Sequence, residues 1–261
     1  MFTRRGIRVL GMLTGVAAVG LCAASWSQQA QEFLYGSGPL KPSEFHFTRL
    51  AYQGRNGVGI GRRGRWLTDW PEAEEHLLGG VHRLTRIDAG EQGRAVSLMD
   101  DELFDYPWLY AVEVGYWYLD ETEAARMRDY LLRGGFLIVD DFHGSREWAS
   151  FVDSMQRVFP DRPIVEIPQA DPVMHVLYDL NERVQIPGLG AVMSGVTYER
   201  DGTVPHWRGI YDDQGRLMVV MDFNMDLGDA WEHADTPYYP EKYTALAYRY
   251  AINYILYSMT H

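Results

Sequence analysis

The sequence predicts an α/β fold with a mostly parallel central sheet wrapped by helices. Three observations carry that expectation. Two runs, Trp108-Leu109-Tyr110-Ala111-Val112 and Phe136-Leu137-Ile138-Val139, are apolar without a break, as in strands covered on both faces. Between them Ala124, Met127 and Leu131 recur at helical spacing, opened by a capping-box pair, Asp120 and Glu123, and closed by Gly134-Gly135. A second amphipathic segment follows, with Trp148, Phe151, Val152, Met155 and Val158 along one face. Strands alternating with helices argue for parallel crossovers rather than hairpins.

The elements follow in order. Phe45 to Tyr52 alternates well enough for a first strand, and a Gly/Arg loop runs from Asn56 to Arg65. Thr68 or Asp69 is placed to cap a helix that starts at Pro71 and ends near Leu78, before Gly79-Gly80. Arg94 to Met99 reads as a short strand and Tyr106 to Val114 as a stronger one. Ser145 is expected to cap the helix after Val139, and Pro163 to Ile167 to form the next strand. Val192–Tyr198, Trp207–Tyr211 and Leu217–Phe223 read as strands, with turns at Asp201-Gly202 and Asp213-Gln214-Gly215. Pro240 starts a last helix carrying Tyr243, Leu246, Ala247, Tyr250, Tyr254 and Tyr257 on one side.

Residues 1–27 have the pattern of a signal peptide or N-terminal anchor. Arg4, Arg5 and Arg8 precede an uncharged run from Val9 to Trp26, and small residues follow at Ala23, Ala24, Ser25 and Ser27. Gly11, Gly15 and Gly20 weaken a spanning helix, which favours cleavage. Thr3-Arg4-Arg5-Gly6-Ile7 fits a twin-arginine signal loosely, and Sec export fits as well. Residues 28–44, with Gly36, Gly38, Pro39 and Pro42, form a linker, and 45–261 a single domain. The protein is thus expected to be exported, periplasmic or extracytoplasmic, and membrane-bound only through an uncleaved leader.

Composition narrows the functions further. With 46% hydrophobic and 23% charged residues in 261, the chain can bury a core. Its net charge of −12, with three of its basic residues in the leader, repels phosphates and excludes nucleic acid and anionic lipid as partners. The single cysteine, Cys22, lies in the leader behind Leu21, which is too large for a lipoprotein box. The exported part therefore has no disulfide, no thiolate ligand and no cysteine nucleophile.

In open parallel sheets, ligands bind beyond the carboxyl ends of the strands. Three loops are expected there: Gly57-Val58-Gly59-Ile60-Gly61 with Arg62, Arg63 and Arg65; Glu113-Val114-Gly115-Tyr116-Trp117; and Asp140-Asp141-Phe142-His143-Gly144. The first lacks the Lys-Ser/Thr of a phosphate loop and reads as solvated. In the third, adjacent carboxylates resist joint ionisation and could bind a cation with His143, though strand neighbours point to opposite faces. The bland alternative is that one acid caps the following helix. Tyr116 and Trp117 could offer aromatic faces to a sugar or a protein.

Asp222-Phe223-Asn224-Met225-Asp226-Leu227-Gly228-Asp229 has the alternating oxygens of a calcium loop. It fails that test, because glycine falls at the seventh position and His233 stands where a bidentate Glu belongs. Asn224 and Asp226 nonetheless join the ligand-binding candidates, with Asp140, Asp141, His143, Glu113, Tyr116 and Trp117. No metal centre and no cofactor is assigned. His175 and His206 read as structural.

Several of these segments, in order, resemble the DUF4159 family, a domain of unknown function. They are Phe47-Thr48-Arg49-Leu50-Ala51-Tyr52 with Thr68-Asp69-Trp70-Pro71, then Leu103 to Tyr110, then Tyr130 to Leu137 with Asp140-Asp141, and Asp226 to Glu232. The resemblance implies a flavodoxin-like three-layer sandwich, of the kind found in class I glutamine amidotransferases and ThuA-like proteins. It also implies an envelope setting beside MoxR-type ATPases and BatA-like membrane proteins. In amidotransferases a cysteine sits on the turn that matches Asp140 to Gly144, and here that turn holds acids and an imidazole instead. Where relatives carry Gly-His, this chain has Gly115-Tyr116. The expectation is a non-catalytic module that binds a small molecule or a protein. The alternative is a carbohydrate or amide hydrolase with Asp141 as base or nucleophile and His143 and Glu113 assisting.

Overall fold

The computed structural model describes residues 41–54 and 64–261. The segments 1–27 and 28–40, and the glycine loop with Arg62 and Arg63, lie outside the described residues. In chain order the elements are β1 (Thr48–Ala51), α1 (Glu72–Leu84), β2 (Arg94–Ser97), β3 (Trp108–Val112), α2 (Glu121–Leu132), β4 (Phe136–Asp140) and α3 (Gly144–Val158). There follow β5 (Val165–Glu166), α4 (Leu189–Met193), β6 (His206–Tyr211), β7 (Leu217–Phe223), α5 (Leu227–Glu232) and α6 (Glu241–Thr260). No helix among the described residues is long and apolar enough to cross a membrane.

The strands form one sheet in the order β2-β1-β3-β4-β7-β6-β5. The first five in that order run parallel, and β6 and β5 add an antiparallel margin. The apolar runs at Trp108 and Phe136 occupy β3 and β4 in the middle, paired from Trp108 opposite Phe136 to Val112 opposite Asp140. Their side chains alternate between two cores. Trp108, Tyr110, Phe136 and Ile138 meet α1 and α6 through Leu77, Val81, Tyr254 and Ile255. Leu109, Ala111, Leu137 and Val139 meet α2 and α3 through Met127, Leu131, Phe151 and Met155. A sheet with helices on both faces needs strands apolar on both sides, which is what these two supply.

The capping box forms as expected, with Asp120 accepting from the Thr122 and Glu123 amides and Glu123 accepting from the Asp120 amide. Four other expectations are corrected. Gly79-Gly80 does not end α1, which runs on to Leu84. A Cβ on Gly80 would lie 2.3 Å from the Tyr248 ring of α6, so the glycine permits close helix packing rather than a stop. Ser145 does not cap α3. His143 is its N-cap, and remote acceptors take the first amides: Asn224 Oδ1 from Gly144 at 2.8 Å and Asp201 Oδ1 from Ser145 at 2.9 Å. The strand expected over Pro163–Ile167 is only the short antiparallel edge strand β5. Val192–Tyr198 is not a strand, because its start belongs to α4, which ends at a turn where Gly195 has a φ of +73°.

Candidate functional site

Parallel β1, β3, β4 and β7 end at one edge of the sheet, and the acidic side chains collect there. Five non-glycine residues among those described have left-handed backbone: Asp69, Glu113, Asp141, Arg200 and Asn224. Each lies in a loop at this rim. L-residues other than Asn and Asp rarely adopt this conformation, at a cost of about 1–2 kcal/mol. Such strain is retained where the surrounding structure and the function over-determine it.

Asp140 and Asp141, neighbours in sequence, part company at the end of β4. Asp140 turns into the core and is fully buried. Its Oδ2 accepts from Tyr110 Oη at 3.0 Å and from the Leu227 and Gly228 amides at 2.9 and 2.8 Å. It thus caps a helix, but the helix is α5 rather than α3. Burial lifts its pKa to about 6 against the opposing pull of those amides. Asp141 takes the left-handed turn (φ 49°) and keeps 9% of its surface exposed. Its Oδ1 lies 3.1 Å from His143 Nε2. Burial first, then the charges of Glu113 and Asp140, raise the proton affinity of Asp141 well above the carboxylate norm. Burial lowers that of His143, so both side chains favour their uncharged forms.

Glu113, at φ 55° after β3, accepts from Arg65 Nη1 at 2.6 Å. Burial raises its pKa and the arginine opposes. The Arg65 guanidinium lies 3.6 Å from the Tyr116 ring centroid, a cation–π contact. Arg200 closes the rim by donating to Glu147 Oε2 at 2.8 Å and to Tyr116 Oη at 3.0 Å. Glu147 also accepts from the His143 amide at 2.7 Å, which ties the turn to its own helix. On the far side, a Cβ at Gly188 would stand within about 3 Å of Asp226 Oδ2, Asp229 Oδ2 and Glu199 Oε1, so three carboxylates converge there.

Of the candidates read from sequence, Glu113, Asp141 and Tyr116 reach solvent at the rim, and His143 stands directly beneath with 2% exposure. The others have structural work. Trp117 is fully buried and stacks on Phe151, so it offers no aromatic face to a ligand. The Asn224 amide is used at both ends, accepting from Gly144 and donating to the Val204 carbonyl at 2.7 Å. Asp226 is buried and caps α5 by accepting from the Asp229 amide at 2.8 Å. Glu147, Arg200 and Glu199 were not visible as site residues in sequence, since they arrive from a helix face and from the long β5–β6 connection. Asp229, Glu232 and His233, on the next helix along the rim, offer ligand atoms within 4.8 Å of one another.

The buried carboxyls make a pH prediction. Asp140, Asp141, Asp69, Asp226 and Asp222 all have folded-state pKa values raised by burial above the unfolded value of 3.8. The folded state therefore binds protons that the unfolded chain has released, and that stabilisation fades as pH rises through the folded pKa values. For Asp140 the window runs from about pH 4 to about pH 6. The midpoint of thermal unfolding is expected to rise by at least ~5 °C between pH 8 and pH 5. A scanning-calorimetry series with a flat or falling trend over that range would contradict the assignment.

The model of a family described as a domain of unknown function, DUF4159, matches residues 46–259. No curated protein matches the chain.

Proposed function

The chain belongs to the DUF4159 family, and on that footing we propose that it is an exported, non-catalytic binding module that holds a small ligand at the carboxyl rim of its sheet. The observation that carries this reading is the strained acidic rim, where Glu113 and Asp141 keep left-handed backbone at the ends of adjacent parallel strands. The strand order supports the place. Counting parallel strands alone, β2-β1-β3-β4-β7 is the 2-1-3-4-5 order of flavodoxin-like sheets, whose ligands sit where the order reverses, between β1 and β3. On that ground we read the fold as the flavodoxin-like, class I glutamine amidotransferase-like sandwich. Arg65, Glu113 and Tyr116 lie at that crevice.

The turn after β4 presents a carboxyl whose proton affinity burial raises, with no thiol or hydroxyl before Ser145. A protonated carboxyl is a poor nucleophile and a good hydrogen-bond partner, which suits binding better than covalent chemistry. The ligand class that fits is one rich in donors, such as an amino acid or a sugar. Export rests on the arginines and apolar run of the leader, and the envelope partners of MoxR or BatA type rest on the family resemblance alone. Scanning fluorimetry against amino acids and envelope sugars tests the reading. A hit should stabilise the native chain by several degrees, and Glu113→Gln and Asp141→Asn should each weaken it about ten-fold or more. Silence across the panel, with no partner in crosslinking pull-downs, would remove the proposal.

The 3.1 Å contact between Asp141 and His143 favours hydrolysis of a carbohydrate or amide as the second reading. Turnover by the native chain that Asp141→Asn abolishes would replace the binding role.

A further inference from the structure

The geometry points to a divalent transition-metal site on α5, formed by Asp229, Glu232 and His233. The three residues stand at i, i+3 and i+4, which places them on one face of a helical turn. His233 Nε2 lies 3.5 Å from Asp229 Oδ1 and 3.5 Å from Glu232 Oε2. Both separations exceed an ordinary N–H···O bond of roughly 2.7–3.2 Å. They match the spacing of two ligand atoms that share one cation: at ~2.1 Å from the metal, tetrahedral or octahedral neighbours sit roughly 3.0–3.4 Å apart. The ligand atoms of all three side chains lie within 4.8 Å of one another.

Two further observations point to a ligand. Asp69 is 91% buried, being 9% exposed, and its Oδ2 has no hydrogen-bond partner. That oxygen lies against Gly228, the residue before Asp229, where a Cβ would come within 2.1 Å of it. Asp229, in turn, is already oriented, because its Oδ2 accepts from the Leu189 amide at 2.6 Å and leaves Oδ1 for the ion. Supporting bonds of this kind hold a carboxylate in its ligating pose. All three ligand side chains are only partly buried, so an ion can enter from solvent.

One imidazole and two carboxylates suit zinc, manganese or cobalt better than calcium or magnesium, which prefer oxygen alone. The site stands on its own residues and does not depend on the binding role proposed for the rim at Glu113 and Asp141. The test uses the untagged chain after chelator treatment, with zinc chloride titrated by calorimetry and cobalt chloride followed by visible absorption. One ion per chain is expected, with cobalt bands showing a nitrogen ligand. His233→Ala and Glu232→Gln should each weaken binding about ten-fold or more, while Asp141→Asn leaves it unchanged. Circular dichroism checks that the variants fold. If one does not, the other and the cobalt spectrum of the native chain decide the matter. Absence of binding by the native chain, or binding that both α5 variants retain, would overturn the proposal. So would binding lost only with Asp141→Asn, which would put the ion at the elbow turn instead.

Discussion

Arg49→Met is expected to lower the unfolding free energy by about 3–5 kcal/mol, the cost of leaving a buried charge without its partner. Arg49 lies on β1 with its side chain wholly buried. Its Nε donates to Glu74 of α1, itself almost fully buried, and its Nη1 donates to the Trp66 and Thr68 carbonyls, both at 2.8 Å. One guanidinium thus ties a strand, a helix and the segment that delivers Arg65 and Asp69 to the rim. The guanidinium also lies 5.3 Å from the Tyr110 ring centroid. A methionine keeps much of the volume but provides no positive charge and no donor, and Glu74 is left desolvated. The double change Arg49→Met with Glu74→Leu should recover most of the loss, because no unpaired charge then remains. Urea unfolding followed by tryptophan fluorescence measures both. A single-variant loss below about 1 kcal/mol would show that the pair is relieved by solvent or by other partners.

The second large effect is at Asp140. Asp140→Ala should cost about 3–9 kcal/mol, since it strands Tyr110 Oη and the Leu227 and Gly228 amides, three buried donors at roughly 1–3 kcal/mol each. Asp140→Asn keeps an oxygen acceptor and should cost less than half as much. Hydrogen exchange gives the local readout, in which the Leu227 and Gly228 amides lose protection before the rest of the sheet does. If Asp140→Ala unfolds with native stability, α5 is held by other contacts and the assigned role is wrong.

The central strands were legible because burial on both faces demands continuous apolar runs, and β3 and β4 have them. The capping box of α2 was legible because every residue it needs lies within four positions. The elements that sequence misread are decided by partners far away in the chain. Gly80 looks like a helix stop until Tyr248 packs against it, and Ser145 looks like a cap until Asn224 and Asp201 arrive to accept the same amides. Val192 and Val196 favour a strand, but their amides bond back to the Gly188 and Ala191 carbonyls, within a local helix and the turn that closes it. Glu113, Asp141 and His143 were expected together because strand ends in a parallel sheet point to one edge, and they do lie at that edge. Trp117 was misplaced because the short turn Val114–Tyr116 after β3 carries it back into the core beside Phe151. Glu147 and Arg200 gave no local signal, since their meeting depends on how the β5–β6 connection folds back over the turn.

The left-handed backbone at Asp69, Glu113, Asp141, Arg200 and Asn224 also governs how the chain can drift over generations. Valine, isoleucine and threonine are barred there by their own shape, and glycine would always be the more comfortable resident. A lineage that stopped using the rim would be free to drift toward glycine at Glu113 and Asp141, whereas Asn224 and Arg200 would still be held by the bonds they make to Gly144, Val204 and Glu147. One that still uses it must go on carrying side chains in a posture the backbone resists.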